Sequence, residues 1–150
     1  MQVGDIMTTD VKTVGREDTF AEVAKILREK GISSVVVTEG DQITGIITER
    51  DLVNLVADGV DPVSVAVGDR MTRDLATVDP RTDIAEAAQV MAQRRIRHLP
   101  IVDKGKLAGI ISIRDLTRWA VEEMTGGHEL PDMERSSAAL SAAMEAKRGD

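Results

Sequence analysis

Apolar and polar positions in the first part of the chain follow the period of a helix. A stripe of apolar side chains on one helix face predicts a first helix, and it consists of Phe20, Val23, Ala24 and Leu27. Thr19 and Glu22 have capping-box spacing at its start, and Gly31 is placed to end it. A short extended segment, residues 11–14, precedes this helix.

Two runs of β-branched residues follow, at residues 35–38 and 43–48, and predict two strands. The four residues between them include Gly40 and predict a hairpin turn. A second helix is predicted from about Arg50 to a point before Gly59. This part of the chain therefore predicts the order β-α-β-β-α.

The same pattern returns 64 residues later, because residues 4–8 recur as 68–72 (68 − 4 = 64) and residues 45–52 recur as 109–116 (109 − 45 = 64). A period of this length that occurs only twice indicates one duplicated supersecondary unit. The second copy has an apolar stripe of its own, which consists of Ile84, Ala87, Ala88 and Met91. Such a unit buries its apolar face poorly when alone, so we expect the copies to pack together and to leave a functional cleft between them.

The remaining elements complete the second copy and define the domain boundaries. Asp83 and Glu86 repeat the helix cap; the strands are predicted at 99–102 and 107–111, and the last helix at 115–124. We expect domains at residues 1–62 and 63–126 and a tail at 127–150. Asp61 and Pro62 predict a short connecting helix that reaches residue 67. Residues 132–147 have the pattern of a weak amphipathic helix, or of a frayed tail.

Composition excludes several classes of function. Of the 150 residues, 42% are apolar, 30% are charged and none is cysteine, which excludes disulfides and cysteine nucleophiles. The apolar runs are too short for a bilayer, and the N-terminus lacks the apolar segment of a signal peptide, so we expect a cytoplasmic protein with no membrane partner.

Charge and aromatic content argue against a nucleic-acid partner. The formal net charge of −7 repels a phosphate backbone, and Phe20 and Trp119 are too few for a stacking platform. Neither His98 nor His128 belongs to a catalytic motif, and no metal-ligand spacing is present. We therefore expect neither catalytic residues nor a metal site.

The chemistry of the chain is concentrated at Thr48-x-x-Asp51 and Ser112-x-x-Asp115, where a strand gives way to a helix. A helix start favours anions, its hydroxyl can donate to a phosphate, and a carboxylate one turn later can accept from ribose hydroxyls. The glycine three residues earlier can admit a ligand close to the backbone. The same pattern is also that of a helix cap, and the residues alone leave both interpretations open.

Three motifs in register resemble those of a tandem pair of CBS domains, the modules named for cystathionine β-synthase. They are the Asp-x-Met-Thr openings at residues 5–8 and 69–72, the Gly-Ile-Ile-Thr/Ser-x-Arg-Asp-Leu closings, and the string Arg-His-Leu-Pro-Ile-Val-Asp at 97–103. The resemblance covers residues 1–125 and implies an α/β fold of two β-α-β-β-α repeats with three-stranded sheets. Similar proteins form dimers and act as regulatory sensors that bind AMP, ADP, ATP or S-adenosylmethionine, without catalysis by the module itself.

The resemblance also implies roles for individual residues. Asp51 and Asp115 would hold ribose, and Thr48 and Ser112 would meet phosphate or ribose oxygens. The other expected ligand contacts are Thr13, Val14, Ile46, Thr77, Val78 and Ile110 around the base, and Ser33, Ser34, Arg97, His98 and Pro100 in the central cleft. Strand packing for the apolar residues and a surface cluster for the arginines are the structural alternatives.

The repeats differ most where Ser33 and Ser34 of the first copy align with Arg97 and His98 of the second (97 − 64 = 33). A guanidinium offers forked donors to phosphate oxygens, whereas the serines carry no charge. We therefore expect two clefts that are not equivalent. Arg50 and Arg114 are expected to pair with neighbouring aspartates.

The sequence thus predicts a regulatory module that binds an adenine nucleotide or S-adenosylmethionine reversibly, needs no obligatory cofactor and forms a homodimer. One alternative is a ligand-free dimerisation scaffold in which the Thr/Ser-x-x-Asp pairs are only caps. The other is regulation through contact between the tail and an unidentified protein partner.

Overall fold

The computed structural model describes residues 1–126, of which Met1–Leu116 form one compact unit and the rest of the last helix belongs to a second. The elements in chain order are β1 (Thr13–Val14), α1 (Phe20–Lys30), β2 (Ser34–Glu39), β3 (Gln42–Thr48), α2 (Glu49–Ala57), α3 (Ile84–Arg94), β4 (His98–Asp103), β5 (Lys106–Ser112) and α4 (Ile113–Met124). The predicted order β-α-β-β-α is confirmed in the first copy, and the predicted order of the two helices and the two hairpin strands is confirmed in the second.

Each copy builds a small sheet around an antiparallel hairpin. In the first, β1 pairs in parallel with β2, and β2 pairs with β3. In the second, β4 pairs with β5, and the expected third strand is reduced to one parallel bridge between Val78 and Ile101. The mixed α/β fold is confirmed, and the second sheet is narrower than predicted.

The predicted helix boundaries are set by local hydrogen bonds. At the start of α1, the backbone N–H of Thr19 donates to Glu22 Oε2 at 2.8 Å and the N–H of Glu22 donates to Thr19 Oγ1 at 3.3 Å. Gly31 ends the helix with a φ of 63°, which glycine adopts without steric cost. In the second copy, Asp83 accepts from the N–H of Ala85 at 2.8 Å.

The connecting helix predicted after Asp61 is wrong. Asp61 does cap a turn, because its side chain accepts from the N–H of Val63 at 3.0 Å and from the hydroxyl of Ser64 at 3.1 Å. The turn stops there because Ala66 is extended and forms a β-bridge with Thr19. Pairing with the first repeat therefore overrides the local preference for helix.

The core of the first repeat includes residues from the second. Phe20, Val23 and Leu27 of α1 pack with Val35, Val37, Ile47 and Leu55, and Val67 and Met71 belong to the same buried cluster. The segment that opens the second repeat therefore completes the core of the first.

The exchange is reciprocal at the backbone. The N–H of Val67 donates to the carbonyl of Asp18 at 2.8 Å, and the N–H of Val3 donates to the carbonyl of Thr82 at 2.9 Å. Val3 and Val67 are fully buried. Each repeat thus donates its opening segment to the other.

The part of the chain that the structure describes contains no helix that is both long and apolar enough to cross a membrane. The helix predicted at residues 132–147 lies outside the described residues.

Candidate ligand-binding site

A cleft of about 320 Å³ lies between the β3–α2 junction of the first repeat and the α3–β4 junction of the second. This volume is at the lower end of the range for small-molecule sites. The cleft is lined by Ser33, Ile46, Thr48, Glu49, Arg50, Asp51, Thr72, Arg95, Ile96, Arg97 and His98. Six of these were predicted as ligand contacts from the sequence: Ser33, Ile46, Thr48, Asp51, Arg97 and His98.

Asp51 has a structural task at the β3–α2 junction. Its Oδ2 accepts from the N–H of Thr48 at 2.7 Å and from the Thr48 hydroxyl at 3.2 Å. No hydrogen bond joins Oδ1 to another described residue, so this oxygen keeps its capacity to accept. Asp51 is therefore a helix cap with one oxygen left for a ligand.

The second repeat has the same arrangement. Asp115 Oδ2 accepts from the N–H of Ser112 at 2.7 Å and from its hydroxyl at 2.9 Å, while the N–H of Asp115 donates to Ser112 Oγ at 3.2 Å. Capping and ligand binding are therefore compatible at both junctions, although only the first lines the cleft described here.

The glycines ahead of these junctions make room for methionines rather than for a ligand. A Cβ on Gly45 would lie 2.5 Å from Met71 Sδ. A Cβ on Gly109 would lie 2.6 Å from Met7 Sδ and 2.8 Å from the carbonyl oxygen of Thr8. Because the space beside each glycine is filled, the expectation that a ligand approaches the backbone there is wrong.

His98 and Ser33 join the two repeats across the wall of the cleft. Ser33 Oγ and His98 Nε2 share a hydrogen bond of 2.6 Å. Burial lowers the pKa of His98 below its usual value of 6.5, and the charge of Arg97 lowers it further, against the opposing effects of Glu49 and Asp115. His98 is therefore neutral at physiological pH and takes part in a hydrogen bond rather than an ion pair.

Arg50, Arg95 and Arg97 surround the same cleft and are exposed. The ion pairs within the described residues involve other arginines, namely Arg70, Arg81 and Arg94. The expectation that Arg50 pairs with a neighbouring aspartate is therefore wrong, and three guanidinium groups are available to an anion.

The residues expected around the base are divided by the structure. Ile46 lines the cleft, but Thr13 and Val14 form β1, and the Val14 side chain lies in the core. Thr77 and Val78 precede α3 and are not among the residues that line the cleft. Binding by these residues stays a prediction.

Four further predicted contacts lie in the paired strands and outside the lining of this cleft. Ser34 pairs with Thr48, His98 pairs with Ser112, and Pro100 pairs with Ile110. Ligand binding by Ser34, Pro100, Ile110 and Ser112, as by Asp115, remains a prediction.

Thr72 is a cleft residue that the sequence analysis missed. It exchanges two backbone hydrogen bonds with Ile46, at 3.1 and 3.2 Å, and so brings the second repeat's opening segment to the edge of the cleft. The repeated Met-Thr pair was a sequence signal for Thr72. Local sequence pattern does not show, however, which strand the opening segment of the second repeat pairs with.

Comparison with known proteins agrees with this architecture. The CBS domain family model matches residues 3–58 and again residues 67–122. The chain therefore belongs to the CBS-domain family and contains two CBS domains in tandem.

Relatives of this chain share most of its length. An uncharacterized protein of Methanopyrus kandleri is 43% identical over 77% of this chain and 61% of its own length. The CBS domain-containing protein YhcV of Bacillus subtilis is 36% identical over 82% of this chain and 86% of its own length.

One solved structure of similar fold contains ligands. The CBS domain pair of protein MJ0100, in complex with 5′-methylthioadenosine and S-adenosyl-L-methionine, is 25% identical, with a TM-score of 0.76, and covers 82% of this chain and 98% of its own. Adenosine-containing ligands are therefore bound by a relative of this fold.

Proposed function

We propose that this protein is a regulatory sensor that reversibly binds an adenosine-containing ligand, an adenine nucleotide or S-adenosylmethionine, in the cleft between its CBS repeats. The observation that carries the proposal is that the cleft brings the free carboxylate oxygen of Asp51 together with the cationic residues of the other repeat. A hydroxylated, charged ligand needs this combination of acceptor and donors.

Each part of the cleft has a chemical role in this proposal. Asp51 Oδ1 accepts from ribose hydroxyls, and Ile46 offers an aliphatic face to the base. Arg97, on the opposite wall, donates to the remaining oxygens of the ligand. Thr48 holds Asp51 in place, because its N–H and its hydroxyl both donate to Asp51 Oδ2. Because these residues come from both repeats, occupancy stabilises one arrangement of the repeats, which a partner can sense.

A dimerisation role has its own support in the exposed face of α2. Val53 and Val56 are 65% and 70% exposed and lie three residues apart, on neighbouring positions of one helix face. A second copy of the chain would cover these side chains in the proposed homodimer. The ligand-free dimerisation scaffold, in which the Thr/Ser-x-x-Asp pairs are only caps, remains the alternative function.

Ligand binding is tested by calorimetric titration and thermal shift with AMP, ADP, ATP and S-adenosylmethionine. A ligand at 100 times its Kd should stabilise the fold by about 2.7 kcal/mol. Asp51→Ala should weaken binding by a factor between about 10 and about 150, because a charge-assisted hydrogen bond contributes about 1.5–3 kcal/mol.

Glu22→Ala is the matched control for the loss of a cap. Glu22 caps α1 through the same kind of hydrogen bond, from the N–H of Thr19 at 2.8 Å, and does not line the cleft. Both variants should lose about 0.5–2 kcal/mol of stability, but only Asp51→Ala should lose affinity. If Asp51→Ala and Glu22→Ala bind the ligand with equal affinity, Asp51 acts only as a helix cap. If the parent protein binds none of these ligands, the scaffold function is favoured.

A further inference from the structure

Arg95 has an unusual backbone conformation for its residue type. It ends α3 with a φ of 55° and a ψ of 42°, in the left-handed region. The equivalent residue of the first repeat is Gly31 (31 + 64 = 95), with a φ of 63°. A residue with a side chain is disfavoured in this conformation. The second repeat therefore has a strained arginine at a position where glycine would fit without strain.

Arg95 lines the cleft, whereas its neighbour Arg94 does not. Arg94 pairs with Asp74 at 3.5 Å and is not among the cleft residues. Arg95 forms no ion pair with any described residue. Arg95 thus combines a strained conformation, a place in the cleft lining and a charge without an ion-pair partner among the described residues. A ligand that supplies this partner would explain the combination.

The charges of the lining indicate the sign of that ligand. Arg50, Arg95 and Arg97 oppose two carboxylates, Glu49 and Asp51, and Asp51 already serves as a cap. The net charge of the residues that line the cleft is therefore positive, although the whole chain carries a net charge of −7. A local field opposite to that of the molecule attracts an anion.

We propose that Arg95 is a specificity-determining residue of this cleft, which binds the phosphate of an adenosine 5′-phosphate ester in preference to neutral adenosine or a sulfonium compound. This inference rests on the proposed function and selects among its ligands. The forked donors of a guanidinium match phosphate oxygens, whereas the positive sulfonium of S-adenosylmethionine is repelled by three arginines.

The test compares Arg95→Gly with Lys104→Gly in titrations with AMP, adenosine and S-adenosylmethionine. Lys104 is the other non-glycine residue with positive φ among the described residues, at 49°, and it lies in the β4–β5 turn outside the cleft lining. Both changes remove one positive charge and the same backbone strain. The melting temperature should not fall in either variant.

The parent should bind AMP at least tenfold more tightly than adenosine, with an affinity that falls as salt is added. Arg95→Gly should reduce AMP affinity about tenfold and leave adenosine affinity unchanged, and Lys104→Gly should change neither. Adenosine or S-adenosylmethionine binding as tightly as AMP, or equal AMP affinities in Arg95→Gly and the parent, would overturn the role of Arg95 while the proposed function stands. If no adenosine compound binds the parent, both proposals are wrong.

Discussion

Single side chains in this cleft combine structural and binding roles. Asp51 caps α2 with one oxygen and also lines the cleft. His98 lines the cleft as well and joins the repeats through its hydrogen bond with Ser33. Because the same groups serve both purposes, substitution at these positions affects stability as well as affinity. Their effects must therefore be separated by matched variants.

The lowered pKa of His98 predicts a pH-dependent stability. Below pH 6.5 an unfolded chain protonates this histidine, whereas the folded protein keeps it neutral to lower pH. The unfolded state then binds more protons, so the stability of the parent should fall as pH drops from about 7 through the folded pKa. His98→Gln retains a partner for Ser33 but does not titrate, and should remove this part of the loss.

Urea unfolding of the parent and of His98→Gln at pH 7.5 and 5.5 measures the effect. His128 is present in both proteins, so the difference between their pH dependences isolates His98. The parent should lose more stability on acidification than the variant does. An equal loss would mean that His98 is protonated as readily in the folded chain as in the unfolded one.

At the scale of residues, the sequence predicted the groups with recognisable chemistry and missed those placed by backbone geometry. Asp51 and Arg97 were identified because each belongs to a sequence motif that resembles a ligand-binding motif of CBS domains. Arg95 was not predicted as a ligand contact, because sequence does not show a left-handed φ. Thr72 was missed because its place depends on pairing with Ile46 of the other repeat.

At the scale of elements, the local patterns were sufficient for the helices and hairpins. Caps, apolar stripes and β-branched runs each act within a few residues, so their positions follow from sequence. The linker after Asp61 was wrong because Ala66 pairs with Thr19, a contact between distant positions. Long-range pairing therefore limits what local pattern can predict here.

The contact between Gly45 and Met71 predicts that a methyl group added at position 45 lowers the stability of the fold. In Gly45→Ala the new Cβ would lie 2.5 Å from Met71 Sδ and 2.8 Å from its Cγ, so the methionine has to move within a packed core. We expect a loss of about 1–3 kcal/mol in the free energy of unfolding, measured by urea denaturation. When Met71→Ala is added, the two losses should sum to more than the loss measured in the double variant, because removal of the methionine side chain also removes the overlap.

Gly15→Ala is the control for the added methyl group. Its Cβ would meet no atom closer than Asp18 Oδ2 at 3.7 Å, and its φ is not positive. This variant should stay within about 0.5 kcal/mol of the parent. A similar loss in both alanine variants would show that glycine flexibility, rather than the methionine contact, sets the cost.

At the scale of the whole molecule, the unit of folding differs from the unit of sequence repetition. Residues 65–72 hydrogen-bond to the first repeat, at Arg16, Asp18, Phe20 and Ile46. Residues 1–8 hydrogen-bond to the second repeat, at Pro80, Thr82, Ile84 and Ile110. A boundary drawn from the repeat, near residue 62, therefore separates the first repeat from two of its own core side chains.

This exchange predicts that two fragments of equal length differ in structure. Residues 10–73 retain Val67 and Met71, which complete the core around Phe20, whereas residues 1–64 lack both and keep Val3 without the second repeat that buries it. A unit of this size is marginal, so the loss of two buried side chains, about 1.5–3 kcal/mol each, should decide whether it folds. Far-UV circular dichroism with urea titration should show a cooperative transition for residues 10–73 and none for residues 1–64. A fragment 1–64 as structured as 10–73 would mean that the exchanged segment contributes little to folding.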